Sequence, residues 1–332
     1  MVRYGIAGFG KHAVKRLMPG FALAKKSQVV ALSRRNQNDA EASAREHGIP
    51  LAFASAEEMC RSAEVDAVFV ASPDSLHLQD TLTALRHGKA VLCEKPFAMN
   101  ASEAEKMAQA AKAAGLVLGV AQVMRFEESV RRFREIVANG EVGKVLHARA
   151  EFHYPVVGHS REWIVDPSLA CGGPMADVGI HCIDTLRFIL QDEVASVSTT
   201  AMSDEHSGPF EAAGVISLEF ARGTLATVIV SSRAAYRTPL EIVGMAGSVY
   251  AKDALNVEYP ITLTVNRGGK IQQEEVSNHL AYALQVDAFS DAVEGRAPFV
   301  ASGEDGVRNQ FILDAVYRSW RNGSTQSVVP GT

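Results

Sequence analysis

Residues 1 to about 122 alternate short apolar runs with helical patterns, and this alternation restricts the fold more than any other feature of the chain. The runs fall at residues 4–7, 29–32, 51–53, 67–71, 90–93 and 116–121. They are short for helices and apolar enough for strands buried on both faces. Helix signals separate them. Ser55 with Glu58, and Asn100 with Glu103, have capping-box spacing, and Gly88 and Gly115 stand where helices should stop. Strand, helix, strand repeated in this way predicts a parallel sheet with helices on both faces, an α/β arrangement.

After about residue 125 the periodicity changes. Leu146, Ala148, Ala150 and Phe152 alternate with His147, Arg149, Glu151 and His153, the pattern of a strand with one wet face. Further strands are expected at residues 212–220, 224–232, 240–243, 248–251, 261–265 and 270–276, with hairpin turns at Ala221-Arg222-Gly223 and Arg267-Gly268-Gly269. Helices are expected at about 174–190, from Asn278 to Glu294, and from a cap at Ser302-Gly303-Glu304-Asp305 to about Arg321. The second half reads as an α+β domain on a large, mostly antiparallel open sheet. Domains are expected at 1–122 and 123–332, with the closing helix free to pack back on the first domain and the cleft between them as the default ligand site.

At 332 residues, each half is large enough to bury a core without covalent staples. A formal net charge of −5 leaves no basic footprint for nucleic acid. Cys60, Cys93, Cys171 and Cys182 lack C-x-x-C spacing, which argues for reduced thiols in a cytoplasmic protein rather than disulfides or a zinc site. No segment reaches the roughly 18 uncharged apolar residues of a membrane span, and Met1 leads into a strand rather than an export signal.

Gly8-Phe9-Gly10-Lys11-His12-Ala13 follows the first run and opens a helix. The first glycine permits a tight turn, the second lets the backbone approach a pyrophosphate, and Ala13 allows close helix packing. Phosphate charge would face the helix N-terminus. A bare glycine turn is the alternative, and placement in a leading β-α-β unit selects nucleotide binding. The second run ends at Ser33-Arg34-Arg35, a hydroxyl and two guanidinium groups where NAD selection calls for a carboxylate. That set suits a 2′-phosphate, hence NADP rather than NAD, although a solvated arginine pair is the bland reading.

Ser72-Pro73-Asp74-Ser75-Leu76-His77 follows the fourth run, a position that would put Ser72, Pro73 and His77 on the ribose and nicotinamide side of the crevice, although His77 taken alone reads as an ordinary helix residue. The fifth run passes into Glu94-Lys95-Pro96 with no turn glycine, so Glu94 and Lys95 project beyond the carboxyl end of a strand, where ligands of open α/β sheets lie. Gln122, just past the last run, completes the expected cofactor contacts. In the second half, Cys171-Gly172-Gly173-Pro174 starts a helix on which Asp177, His181 and Asp184, at i, i+4 and i+7, share one face. No zincin spacing accompanies them, so acid–base chemistry is expected and no metal.

In this order and spacing, G-x-G-x-x-A, S-P-D-x-x-H, Glu94-Lys95-Pro96 and G-G-x-x-x-D-x-x-x-H resemble the glucose-fructose oxidoreductase and inositol dehydrogenase (Gfo/Idh/MocA) family. The resemblance covers nearly the whole chain and leans toward the 1,5-anhydrofructose reductase-like branch. It implies a Rossmann domain followed by a domain whose open sheet forms a homodimer or homotetramer. It also implies a catalytic Lys95, a catalytic His181 with Asp177 before it, a cis Lys95-Pro96 bond, and Arg125, Arg161 and Trp163 lining cofactor and substrate. Ile164 after Trp163, with Cys171 and Pro174 in the glycine run, departs from that branch and bears on the substrate.

The expectation is therefore hydride transfer between NADP and a hydroxyl or carbonyl carbon of a small molecule: a sugar, polyol or cyclic diol. Lys95 would hold positive charge beside the reacting oxygen and His181 would exchange the proton. A non-catalytic NADP(H)-binding sensor on the same fold is the alternative. An S-adenosylmethionine methyltransferase would leave Glu94-Lys95-Pro96 without a task.

Overall fold

The computed structural model describes residues 1–156, 162–258 and 260–328. The chain divides into two compact units, the first Met1–Val123 with Leu280–Val307, the second Met124–His279 with Arg308–Thr332. Residues 280–307 thus group with the first unit, although they follow most of the second in sequence.

The first unit is built on β1 (Val2–Ala7), β2 (Ser27–Ser33), β3 (Leu51–Phe53), β4 (Ala67–Val70), β5 (Ala90–Cys93) and β6 (Leu118–Val120). They form one sheet in the order β3-β2-β1-β4-β5-β6, every pairing parallel. This is the dinucleotide-binding strand order, whose connections cover both faces of the sheet. Every residue of β4 and β5 is buried, as unbroken apolar runs require. The predicted caps are present. Ser55 Oγ accepts from the Glu58 N–H at 3.2 Å and Asn100 Oδ1 from the Glu103 N–H at 3.0 Å. Gly88 and Gly115 take φ of +73° and +64°, the left-handed region that ends a helix.

The returning segment fills the other side of this core. Tyr4 Oη donates to the Val286 carbonyl at 3.0 Å and lies 3.0 Å from Ser290 Oγ. Phe289 and Phe299 meet edge to face at 5.1 Å, against a Gly119 where any side chain would collide with the Phe299 ring. A buried tyrosine needs a partner for its hydroxyl, and here the helix Ala281–Val293 provides it.

The second unit holds β7 (Val145–His153), β8 (Val194–Met202), β9 (Ala213–Phe220), β10 (Leu225–Ser231), β11 (Leu240–Gly244), β12 (Gly247–Ala251), β13 (Pro260–Arg267), β14 (Lys270–Ser277) and β15 (Gln326–Ser327). Their order is β14-β13-β12-β11-β7-β10-β9-β8-β15. Only the β7–β10 pairing is parallel. Burial alternates along β9, so one face is covered and the other is wet. Two expectations need correction. The strand β8 was not anticipated, because its Ser and Thr residues carry little apolar contrast. Asn278 does not open a helix: its side chain is buried, accepts from the Ser129 N–H at 3.0 Å and donates to the Ala254 and Asn256 carbonyls at 3.1 and 2.9 Å. The helix begins instead at Ala281.

Candidate functional site

Gly8 follows β1 with φ of +77°, and a Cβ there would lie 2.5 Å from the backbone of Ser72. The glycine is therefore required by the close approach of the turn after β4. At Gly10 the reverse holds: a Cβ would meet only the Gly8 carbonyl, at 3.8 Å, which leaves the backbone open to a ligand. Beside it lies a cavity of about 230 Å³ lined by Gly10, Lys11, Lys15, Arg34, Glu46 and His47, among others. Arg34 Nη1 donates to Ser43 Oγ at 2.8 Å, and that bond fixes the guanidinium at the cavity wall. Ser33 is buried and its carbonyl accepts from the Phe9 N–H at 3.0 Å, whereas Arg35 is exposed and does not line the cavity. His47, which the sequence reading passed over, lies 5.4 Å from the Phe9 ring.

The turn after β5 is fixed at several points. The Lys95-Pro96 bond is cis, as expected. His12 Nε2 lies 2.9 Å from Glu94 Oε1, which joins the start of the first helix to the end of β5. His77 is buried, with Nδ1 2.8 Å from the Pro96 carbonyl and Nε2 2.9 Å from the Ser72 carbonyl. Carbonyls only accept, so both ring nitrogens carry hydrogen and the ring is cationic. Burial opposes that charge, but the Cys93 sulfur, Asp74 and the Pro96 carbonyl outweigh it and push the pKa up to about 10. With both nitrogens bonded to carbonyls, His77 braces the two turns and has no N–H left for a cofactor. Past β6, Gln122 is fully buried and neither atom of its side-chain amide has a partner among the described residues. A dinucleotide fits what this unit presents: an open glycine backbone, a cationic cavity and a buried amide with bonding capacity to spare.

In the second unit a π turn, Met175–Gly179, runs straight into the helix Ile180–Leu190. A π turn is wider than an α turn, and it carries Asp177. Tyr154, just past β7, donates its hydroxyl to Asp177 Oδ2 at 2.6 Å. The His181 ring lies 6.2 Å from that of Phe152 at an interplanar angle of 26°. Asp177 and His181 are both buried. Asp184, the third member of the expected polar face, is engaged elsewhere: Arg125 Nε and Nη2 donate to its two oxygens at 2.8 and 2.7 Å, and Asn309 Nδ2 donates to Oδ1 at 2.8 Å. Arg125, expected along the cofactor and substrate, is thus buried in a bidentate ion pair. Trp163 sits half-buried in the short helix Glu162–Val165, and Arg161 lies outside the described residues. Beside Asp177 and His181, Tyr154 and Phe152 are residues that sequence reasoning missed, as it missed His47 in the first unit. The only signal of Tyr154 and Phe152 was the aromatic cluster at the end of a predicted strand.

Among the described residues no group of three or more His, Cys, Asp and Glu side chains is placed to hold a metal ion, and no helix is long and apolar enough to cross a membrane.

Comparison with known proteins places the same features in a wider set. Residues 2–122 match a model described as an oxidoreductase family with an NAD-binding Rossmann fold, and residues 130–250 match the GFO/IDH/MocA C-terminal domain. The chain is 30% identical to the 1,5-anhydro-D-fructose reductase of Ensifer adhaerens over the full length of both. It is also 30% identical to an NADP(+)-linked D-xylose 1-dehydrogenase of Haloferax volcanii, covering 97% of this chain and 98% of that one. Among solved structures, the aldose-aldose oxidoreductase of Caulobacter crescentus superposes with a TM-score of 0.91 at 25% identity, covering 98% of this chain and 99% of the other.

Proposed function

Because the chain belongs to the Gfo/Idh/MocA oxidoreductase family, and is by that kinship a dehydrogenase or reductase acting on CH–OH groups, we propose that it uses NADP(H) on a sugar, polyol or cyclic diol. The observation that carries the reading is the turn at Lys95. Glu94 is tied to His12, and the Pro96 carbonyl is held by His77, so the lysine stands on backbone fixed on both sides. A side chain placed with that much support suits a group that must meet a developing charge without reorganising.

The NADP preference is supported by the cavity beside Gly10. Lys11, Lys15 and Arg34 face the single carboxylate of Glu46 there, and β2 ends without an acidic residue. Arg34 and Lys11 would hold the 2′-phosphate, Gly8 and Gly10 would admit the pyrophosphate, and Gln122 would bond the nicotinamide end. The bound dinucleotide supplies the hydride chemistry. Lys95 keeps a positive charge next to the substrate oxygen, and His181 gives or takes the proton at that oxygen. Asp177, its Oδ2 already accepting from Tyr154, orients a substrate hydroxyl. Exposed Val215, Leu225 and Tyr250 on the wet face of the sheet favour assembly of copies through that face.

The test is a panel of sugars, polyols and diols with each nicotinamide cofactor, following the absorbance of the reduced form. Turnover faster with NADPH than with NADH supports the reading. NADPH binding with no turnover of any member would replace it with the sensor alternative.

A further inference from the structure

The start of the helix bearing Asp177 and His181 lacks an ordinary cap. Pro174 occupies the N-cap position and offers no side-chain hydrogen bond, although the first N–H groups of any helix need acceptors. The acceptor comes from far along the chain. Glu211, buried just before β9, takes the Met175 N–H on Oε1 at 2.7 Å. Tyr317, from the helix Gly303–Asn322, donates its hydroxyl to the two oxygens of that carboxylate at 3.1 and 3.2 Å.

This clamp explains the glycine pair ahead of the helix. A Cβ on Gly173 would lie 2.4 Å from the Glu211 carbonyl oxygen and 2.9 Å from its carboxyl group, and one on Gly172 would lie 1.9 Å from Tyr317 Oη. The clamp reaches Asp177 through the backbone, since the Gly173 carbonyl accepts the Asp177 N–H at 2.9 Å. Glu211 therefore grips the residues on either side of Pro174, and these set where the π turn begins.

We propose that Glu211 is a positioning residue, one whose ionised carboxylate fixes the start of this helix and so aligns Asp177 and His181 for the reaction. The proposal rests on the functional reading above for its kinetic consequence and not for its structural one. Burial, partly offset by the Met175 N–H and the Tyr317 hydroxyl, pushes the Glu211 pKa up to about 7, so its charge changes near neutrality. The groups around it are Tyr317, held neutral by burial, Cys171 before the glycines, Asp177 on the turn itself, and Tyr154, His206 and Arg233, which line a small cavity with it. Arg233 is engaged by Asp204, with Nε and Nη2 donating at 2.6 and 2.7 Å.

The test compares wild type, Glu211→Gln and a His206→Asn control. Glu211→Gln keeps the shape and imitates the protonated acid. It should lower kcat about ten-fold above neutral pH, the loss expected for one charge-assisted bond, and leave NADPH affinity unchanged. Wild type and His206→Asn should share a component of the acid limb in kcat near pH 7 that Glu211→Gln lacks, whatever His181 adds to all three profiles. Independently of turnover, hydrogen exchange in a peptide spanning residues 173–181 should quicken in Glu211→Gln. Unchanged exchange would overturn the proposal, as would a kcat–pH profile of Glu211→Gln with the same shape as that of wild type. Faster exchange in a protein that reduces no substrate would uphold the clamp and reject the assigned reaction.

Discussion

The Tyr154 hydroxyl donates to Asp177 Oδ2 at 2.6 Å, so the carboxylate ahead of His181 is held from the segment that leaves β7. Removing that donor in Tyr154→Phe should loosen the carboxylate without touching its charge. We expect KM to rise several-fold and kcat to fall less, because an orienting contact is lost rather than a proton carrier. Asp177→Asn should act in the same direction, and the double variant should show less than additive loss. Steady-state kinetics on all three variants decides this; additive losses would separate the two residues.

Lys95 and His181 carry larger stakes. Lys95→Met should lower turnover at least about 10²-fold, since the charge developing on the substrate oxygen loses a fixed partner. His181→Ala should lower kcat by roughly 10² to 10⁴. NADPH titration should change little in either, and near-normal turnover by folded Lys95→Met would remove the lysine from the mechanism.

Arg34 is fixed by Ser43 at the wall of the cavity beside Gly10. Arg34→Ala should weaken NADPH binding about ten-fold or more and leave NADH binding nearly unchanged, because only the former has the 2′-phosphate. Binding isotherms for both cofactors measure the difference. Equal losses for the two would point to a general rather than a phosphate-selective role.

Arg125 presents a stability test. Its partner Asp184 is fully buried, so Arg125→Met removes both of its charge-assisted bonds to Arg125 and leaves the carboxylate to the Asn309 amide and to Arg187, whose Nη1 lies 3.6 Å away. Loss of one partner of a buried pair costs about 3–5 kcal/mol, far more than an exposed ion pair is worth. Chemical denaturation should report that loss, and a second change, Asp184→Asn, should recover part of it.

The pH dependence of stability follows from Glu211. Its folded pKa, about 7, is raised above the ordinary 4.5. The folded protein therefore holds a proton that the unfolded chain has released. Stability from this group is complete below the unfolded pKa and is lost as pH rises through the folded one, roughly 3 kcal/mol in all. Between these values the melting temperature of wild type should fall with pH more steeply than that of Glu211→Gln. Parallel curves would mean that the carboxyl titrates normally.

What the sequence determined by itself was whatever depends on near neighbours along the chain. The capping pairs Ser55/Glu58 and Asn100/Glu103, the left-handed glycines 88 and 115, and the hairpin at Arg267-Gly268-Gly269 each act within a few residues, and each stands where the spacing put it. The short apolar runs of the first half were equally legible, since strands buried on both faces admit little else. The glycine loop and the turn at Lys95 could be read for the same reason: strand end and ligand-facing residues are adjacent in sequence. Tertiary structure decided the rest. The acceptor for the Met175 N–H stands 36 residues away and the Tyr317 hydroxyl 106 residues from Glu211. No periodicity records a contact of that separation. Arg125 and Asn278 could be seen as polar residues but not assigned a partner, because a buried polar side chain takes the bond that the packed core leaves within reach. The return of residues 280–307 to the first unit has the same origin, in a Tyr4 hydroxyl that must be satisfied inside the core.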